Sequence, residues 1–386
     1  MIPYGRQSIA DDDVEAVVAV LRSDFLTQGP AVPAFERAVA ERVGAAHAVA
    51  CSSATAALHL ACAALGLGPG DLLWTSPITF VASANCARYC GADVDFVDID
   101  PRTWTMCPEA LERKLDEAAA RGRLPKVIVP VHLCGQPADM TAIAALARRH
   151  GVRVIEDASH AIGASHRGVP VGAGLHADVV VFSFHPVKIV TTGEGGMALT
   201  DDPELAKTMA MLRSHGLVRD PADMVEPPEG PWVYEQQALG WNYRLTDLQA
   251  ALGSSQLGRL DAFLARRRAL AARYDERLAG LPIERPWLRP QDTSSWHLYV
   301  VGIDAARCGI DRRGAYDAMR AAGFGVQVHY APVHLQPYYR ALGFAPGDFP
   351  QAERYASRAL TLPLHPSLTD AQLDAAADAL RDAVSR

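Results

Sequence analysis

The sequence predicts an α/β fold with a mostly parallel central sheet flanked by helices. Three observations carry that prediction. Short runs dense in Val and Ile alternate with amphipathic or Ala-rich stretches of helical length. No internal repeat or low-complexity tract interrupts the alternation. The composition, 49% apolar and 21% charged over 386 residues, is ordinary for a globular protein and sufficient for a large core. Strands rich in β-branched residues and separated by helices form βαβ units, whose sheet is buried on both faces.

The elements follow in order. LLWTS (72–76) reads as a strand, and ITFVASANCARYCGA after it as a helix closing at Gly91. VDFVDID (94–100) precedes the helical PEALERKLDEAAARG, and KVIVPVHL (126–133) precedes ADMTAIAALARRHG. VRVIED (152–157) and DVVVFSF (178–184) are the next strands. From about residue 245, TDLQAALGSSQLGRLDAFLARRRALAARYDERLAGL reads as one long helix with Arg on its exposed faces. HLYVVGI and GVQVHY are strand candidates beyond it, with helices near 311–322 and 369–384. The expected organisation is a large domain over 1–250 and a smaller C-terminal α/β domain over 251–386. Residues 220–235, rich in Pro and acidic side chains, are expected to form a long irregular loop.

Bulk properties exclude several classes. A net charge of −7 without a run of Lys or Arg argues against non-specific nucleic-acid binding. The N-terminal MIPYGRQSIADDDVEAVV lacks an apolar signal region, and no window is long and apolar enough to span a bilayer. The seven cysteines contain no CxxC pair, so free thiols in a reducing cytoplasm are expected, with no disulfide frame and no zinc site. Neither GxGxxG nor GxxxxGK[ST] is present, which removes nicotinamide dehydrogenases and ATPases of those types.

Three stretches carry chemistry. In CSSATAALHLACAALGLGPG (51–70), Ser52, Ser53 and Thr55 open a helix, and a helix start with free N–H groups and hydroxyls is an anion site as well as an ordinary cap. In VIEDASHAIGA (154–164), a strand delivers Asp157 at its end, with His160 three residues on. Such a carboxylate either caps the next turn or holds positive charge on a heteroaromatic ring. In FSFHPVKIVTTGEGG (182–196), an apolar strand leads through Ser183 and Pro186 to a lone Lys188. A lysine that attacks a carbonyl carbon must be partly desolvated, so that its pKa falls and the neutral amine is available. The GEGG that follows allows close approach of the backbone to a ligand. Acid, hydroxyl and amine, each at or just beyond a strand end, favour a pyridoxal phosphate site over a surface lysine.

SSATAALH, PITFVASAN, PVHLCGQPADM, VIEDASHAIGA, SFHPVKIVTTGEGGM and LGWNYRLTDLQAALG together resemble, in this order, the DegT/DnrJ/EryC1/StrS family of sugar aminotransferases. The resemblance runs from about residue 3 to the C-terminus. It implies the fold type I of pyridoxal phosphate-dependent transferases, similar to aspartate aminotransferase. It also implies that Lys188 holds pyridoxal 5′-phosphate covalently, that Asp157 pairs with the pyridine nitrogen, and that His160 lies by the ring. Phe80 would stack on the ring; Ala54, Thr55 and Ser183 would serve the phosphate. Asn242 would reach the phosphate of the other subunit, which implies a homodimer with shared sites. Tyr4, Asp24, Phe25, Leu26, Thr27, Ser53 and His329 would line the sugar-nucleotide pocket. No metal is implied.

The opening PYGRQSIADDDVEAVVAVLRSDFLTQGPAVPAFE, with RSHGLVRDP and GVQVHYAPVHLQPYY, is most similar to the branch that aminates a UDP-4-keto-6-deoxy-N-acetyl-hexosamine in pseudaminic acid biosynthesis. L-Glutamate would be the amino donor. In dehydratase relatives a histidine replaces the lysine, so the lysine here implies transamination. Another nucleotide ketosugar, such as a UDP-4-keto-pentose or a 3-keto sugar, fits the same motifs. A non-catalytic cofactor-binding regulator is the alternative of another class, and the intact Lys188, Asp157 and Ser183 weigh against it. Arg213, His215 and Arg219 are candidates for the diphosphate or plain surface residues.

Overall fold

The computed structural model describes residues 1–385. Its centre is a seven-stranded sheet made of β1 (His47–Cys51), β2 (Leu72–Thr75), β3 (Asp93–Phe96), β4 (Val127–Val129), β5 (Arg153–Asp157), β6 (Val179–Ser183) and β7 (Gly196–Thr200). The spatial order is β1-β7-β6-β5-β4-β2-β3. The ladders from β3 through β6 are parallel, and β7 is antiparallel to both β6 and β1. The Val/Ile strands lie where the sequence places them, trimmed at their ends. Of VDFVDID only 94–96 is strand, extended back to Asp93, and in KVIVPVHL the continuous strand ends at Val129, before Pro130, with pairing to β5 resuming at Val131. HAVAC and GMALT are strands that the helix–strand alternation did not single out.

Helices α1 (Asp11–Leu21), α2 (Ala31–Val43), α3 (Ala54–Ala64), α4 (Ala82–Tyr89), α5 (Pro108–Ala120), α6 (Met140–His150) and α7 (Pro203–Leu212) surround this sheet. The α3 face buries Leu58, Leu60, Ala61 and Cys62 in one apolar cluster with Val179 and Val181 of β6. On the other face, Phe35 and Val39 of α2 pack with Val180 and Phe182. Alternate residues of one strand thus serve opposite layers, as the period of two requires.

Two expectations are corrected downstream. The predicted single helix after residue 245 is two, α8 (Asp247–Gly258) and α9 (Leu260–Arg277), separated at Arg259, with φ −102° and ψ 5°. The Arg259 guanidinium reaches back to Asp13 of α1 and to the Ser8 carbonyl, so a tertiary ion pair stands at the break. GVQVHY is not a strand. Tyr299–Gly302 pairs instead with Ala359–Leu362, and the 325–330 stretch contributes one bridge, Gln327 to Thr361. These strands, α9 and the helices Arg312–Ala321 and Asp370–Val384 share a separate apolar cluster, with Ile2 packed against it. The 220–235 segment is mostly irregular, with one short 3-10 turn and a two-residue strand at its end.

Candidate active site

A cavity of about 650 Å³ opens where β5 and β6 end, at the mouth of the parallel strands, as ligand sites in such sheets do. It gathers Tyr4, Ser53, Ala54, Thr55 and Phe80 with Asp157, His160, Ser183, Lys188 and His329. Ten of the residues singled out from the sequence therefore share one pocket, although they come from positions 4 to 329.

Lys188 lies in the loop after β6, and its N–H donates to the His185 carbonyl at 2.9 Å. Burial pushes its amine down to about 8, with the Asp157 charge opposing. A neutral, nucleophilic fraction therefore exists near neutral pH. Asp157 ends β5 and is 5% exposed. Its own N–H donates to the Pro130 carbonyl at 2.9 Å, and its carbonyl accepts from His132 N–H at 3.0 Å. The carboxylate accepts from Ser83 Oγ at 2.5 Å and from Ser159 N–H at 3.1 Å.

His160 is held neutral, its pKa pressed well below 6.5 by burial first and then by the neighbouring Lys188 and His329. The Cys134 N–H donates to His160 Nδ1 at 3.2 Å, so the ring proton sits on Nε2 and points at Tyr330 Oη, also 3.2 Å away. The Tyr330 hydroxyl thus keeps its own proton. His329 is lowered to about 4 by burial and by Lys188, and bonds Thr361 Oγ1 at 2.8 Å. Its ring lies 5.1 Å from Tyr4.

The opposite end is built for an anion. Ser53 caps α3: its Oγ accepts from Ala56 N–H at 3.1 Å, and its carbonyl takes Ala57 N–H at 3.0 Å. The Ala54 and Thr55 N–H groups, the first two of the helix, have no intrahelical acceptor. Gly196 permits this placement, because a Cβ there would stand 2.3 Å from Ala54 N and 2.4 Å from the Ser53 carbonyl carbon. Ser183 Oγ is buried, with only the His185 N–H at 3.5 Å as a partner among the described residues. Phe80 presents an aromatic face that is 59% exposed on the cavity wall. Free helix-start amides, the Thr55 and Ser183 hydroxyls, an open aromatic face, a carboxylate and a desolvated lysine fit pyridoxal phosphate in kind and number.

Five predicted residues stand elsewhere. Asp24, Phe25, Leu26 and Thr27 are exposed and do not line the cavity. They run beside the start of α8, where Thr27 bridges Thr246 and the Asp247 N–H donates to the Leu26 carbonyl. Asn242 is also exposed, paired with Ser214. Nor do Arg213, His215 and Arg219 line the pocket: Arg213 is committed to Glu36 at 2.5 Å and to the Ala50 carbonyl at 2.7 Å, and Arg219 stacks on Tyr234. Conversely, Tyr330, Glu194 and His297 line the cavity without having been singled out. Tyr330 follows His329 directly, and that adjacency was the available signal.

Comparison with known proteins agrees with this geometry. The sequence matches the DegT/DnrJ/EryC1/StrS aminotransferase family over residues 7–381. It is 40% identical over 386 residues, 99% of this chain and 97% of the relative, to the spore coat polysaccharide biosynthesis protein SpsC of Bacillus subtilis (strain 168). The fold is similar to Spr1654 from Streptococcus pneumoniae in its PMP-form, with a TM-score of 0.91, 30% identity, and coverage of 100% of this chain and 99% of that one. It is also similar to Helicobacter pylori PseC, an aminotransferase involved in the biosynthesis of pseudoaminic acid, with a TM-score of 0.90, 30% identity and coverage of 100% and 99%. The chain belongs to the DegT/DnrJ/EryC1/StrS aminotransferase family. It is a pyridoxal phosphate-dependent sugar aminotransferase.

Proposed function

We propose that the protein moves an amino group from L-glutamate to C4 of a UDP-4-keto-6-deoxy-N-acetyl-hexosamine, giving UDP-4-amino-4,6-dideoxy-N-acetyl-β-L-altrosamine. The observation that carries the transaminase part is Lys188, desolvated in the loop after β6 and lining one cavity with Asp157. The likeness to PseC along the whole chain supports the sugar. Pyridoxal phosphate supplies, when bound, an electrophilic aldehyde and a ring that accepts negative charge.

The protein's own groups do the rest. Lys188 would hold the aldehyde carbon of the cofactor, and its amine is the group that would carry a proton during the transfer. Asp157 would hold a proton on the ring nitrogen. The Ala54 and Thr55 amides, with the Thr55 and Ser183 hydroxyls, would bind the phosphate. Phe80 would cover one ring face, and neutral His160 would stand by the ring. Tyr4, Ser53 and His329 form the sugar side of the pocket.

In this reading 1–250 is the cofactor-binding unit and 251–386 the smaller unit that brings His329. The enzyme is a cytoplasmic homodimer in which Asp24–Thr27 and Asn242 complete the partner's site. What supports this is their exposure, with Phe25 and Leu26 about half exposed. No helix among the described residues is long and apolar enough to cross a membrane.

The 40% identity to SpsC favours a second reading, in which the acceptor is another nucleotide ketosugar destined for a polysaccharide. Incubation with glutamate and a panel of UDP- and dTDP-ketosugars, read by product mass, separates the two. Amination of the UDP-N-acetylhexosamine ketone alone supports the first. A product only from a different ketosugar replaces it with the second.

A further inference from the structure

The carboxylate of Asp157 is held from behind by two hydroxyls that the reaction as described leaves unused. Ser83 Oγ lies 2.5 Å from Asp157 Oδ2, and Thr79 Oγ1 lies 2.7 Å from Ser83 Oγ. All three are out of solvent: Ser83 is 0% exposed, Thr79 2% and Asp157 5%. Counting protons orders the chain. An ionised carboxylate only accepts, so Ser83 spends its single proton on Asp157. The alternative acceptor for that proton, the Phe80 carbonyl, is 3.4 Å away. Ser83 Oγ is then free only to accept, and Thr79 must be the donor to it.

The main chain of Asp157 is pinned independently by Pro130 and His132. Ser83 therefore fixes the rotation of the side chain and the charge on it, not the strand. The same turn ties the two ring contacts together, since Ser83 N–H donates to the carbonyl of Phe80 at 3.2 Å.

We propose that Thr79 and Ser83 form an ordered hydroxyl relay that aims Asp157 and stabilises its negative charge toward the ring nitrogen, with Ser83 as a positioning residue for transamination. This rests on the assignment of Asp157 to that nitrogen. Donors to an ionised carboxylate favour the charged form, and a hydrogen bond to a charged group is stronger than a neutral one. Asp157 keeps lone pairs for a ring N–H beyond those used by Ser83 and Ser159. Lys188 and Tyr330 also sense the Asp157 charge, and substitutions at 79 and 83 leave both in place.

The test uses holoenzyme reconstituted with pyridoxal phosphate labelled with ¹⁵N in the ring, its ¹⁵N chemical shift followed across a pH titration. In Ser83→Ala the carboxylate loses its aim and becomes more basic, so that near neutral pH the ring ¹⁵N shift moves from the protonated toward the unprotonated value, and the glutamate half-reaction slows about ten- to a hundredfold. Thr79→Val, which keeps the side-chain shape, moves both readouts the same way by less, and carries the test if Ser83→Ala does not fold. Asp157→Asn is the control and loses the ring proton outright. Parental titration in both hydroxyl variants, with the proton lost in Asp157→Asn, overturns the relay and leaves the Asp157 assignment standing. A ring that stays protonated in Asp157→Asn overturns that assignment and the relay with it.

Discussion

The floor of the cavity and the exposed 24–27 and 242 face differ in how they are held. On the floor, each group is fixed by its own chain: Asp157 by Pro130, His132, Ser83 and Ser159, His160 by Cys134 and Tyr330, and the α3 amides by the Ser53 cap. At the other face, Asp24 to Thr27 and Asn242 are exposed, with Phe25 and Leu26 about half exposed. The cavity groups are thus positioned by contacts within one chain, whereas the outer residues stand open to solvent.

The largest effect should come from the floor. Lys188→Ala is expected to lower turnover by about a thousandfold or more, since it removes both the anchor and the proton carrier. Circular dichroism should show the fold retained, and turnover near the parental rate would break the division between floor and rim. Asp157→Ala should cost about a hundred- to a thousandfold in the glutamate half-reaction, measured in single turnovers.

The outer face is tested by mixing. Asn242→Ala and Lys188→Ala chains, each weak alone, should recover part of the activity after subunit exchange, because one hybrid site has both residues intact. Proven exchange without recovery would place Asn242 outside the site.

A pH prediction sharpens the account of Lys188. Its folded-state pKa, about 8, lies below the ordinary 10.5. The unfolded chain therefore binds more protons between those values, and this group makes stability rise with pH from about 8 toward 10.5. Apoprotein melting should show that rise, and Lys188→Met should lack it. Over the same range the rate of pyridoxal phosphate capture by apoprotein should climb through pH about 8 and level off, as the neutral amine accumulates.

The smallest effect concerns the anion end. Gly196→Ala should cost about 1–3 kcal/mol of stability, because the added methyl meets backbone atoms that cannot yield cheaply. It should also weaken cofactor binding, measured by equilibrium dialysis.

Local pattern made much of this legible. The Val/Ile runs at 127–129, 153–157 and 179–183 announced parallel strands, and with them the strand ends that hold Asp157 and Lys188. SSATA announced a helix start with free amides, which α3 has. GVQVHY, by contrast, has the alternation of a strand, yet Ala359–Leu362 takes the place beside Tyr299–Gly302. Pairing partners are chosen by the packing of the whole layer, not by one strand's propensity. The break at Arg259 has no local signature for a similar reason, since its ion-pair partner Asp13 is 246 residues away.

The sequence alone singled out Lys188, Asp157 and the capped start of α3, which line one cavity, because each depends on residue type and on spacing within one strand–loop–helix unit. Only the tertiary structure decided that Ser83 and Thr79 chain to Asp157, that Tyr330 Oη accepts a hydrogen bond from His160 Nε2, and that Arg213 is spent on Glu36. Those contacts join segments that are far apart in the chain, and their partners are set by how helices and loops close over the sheet.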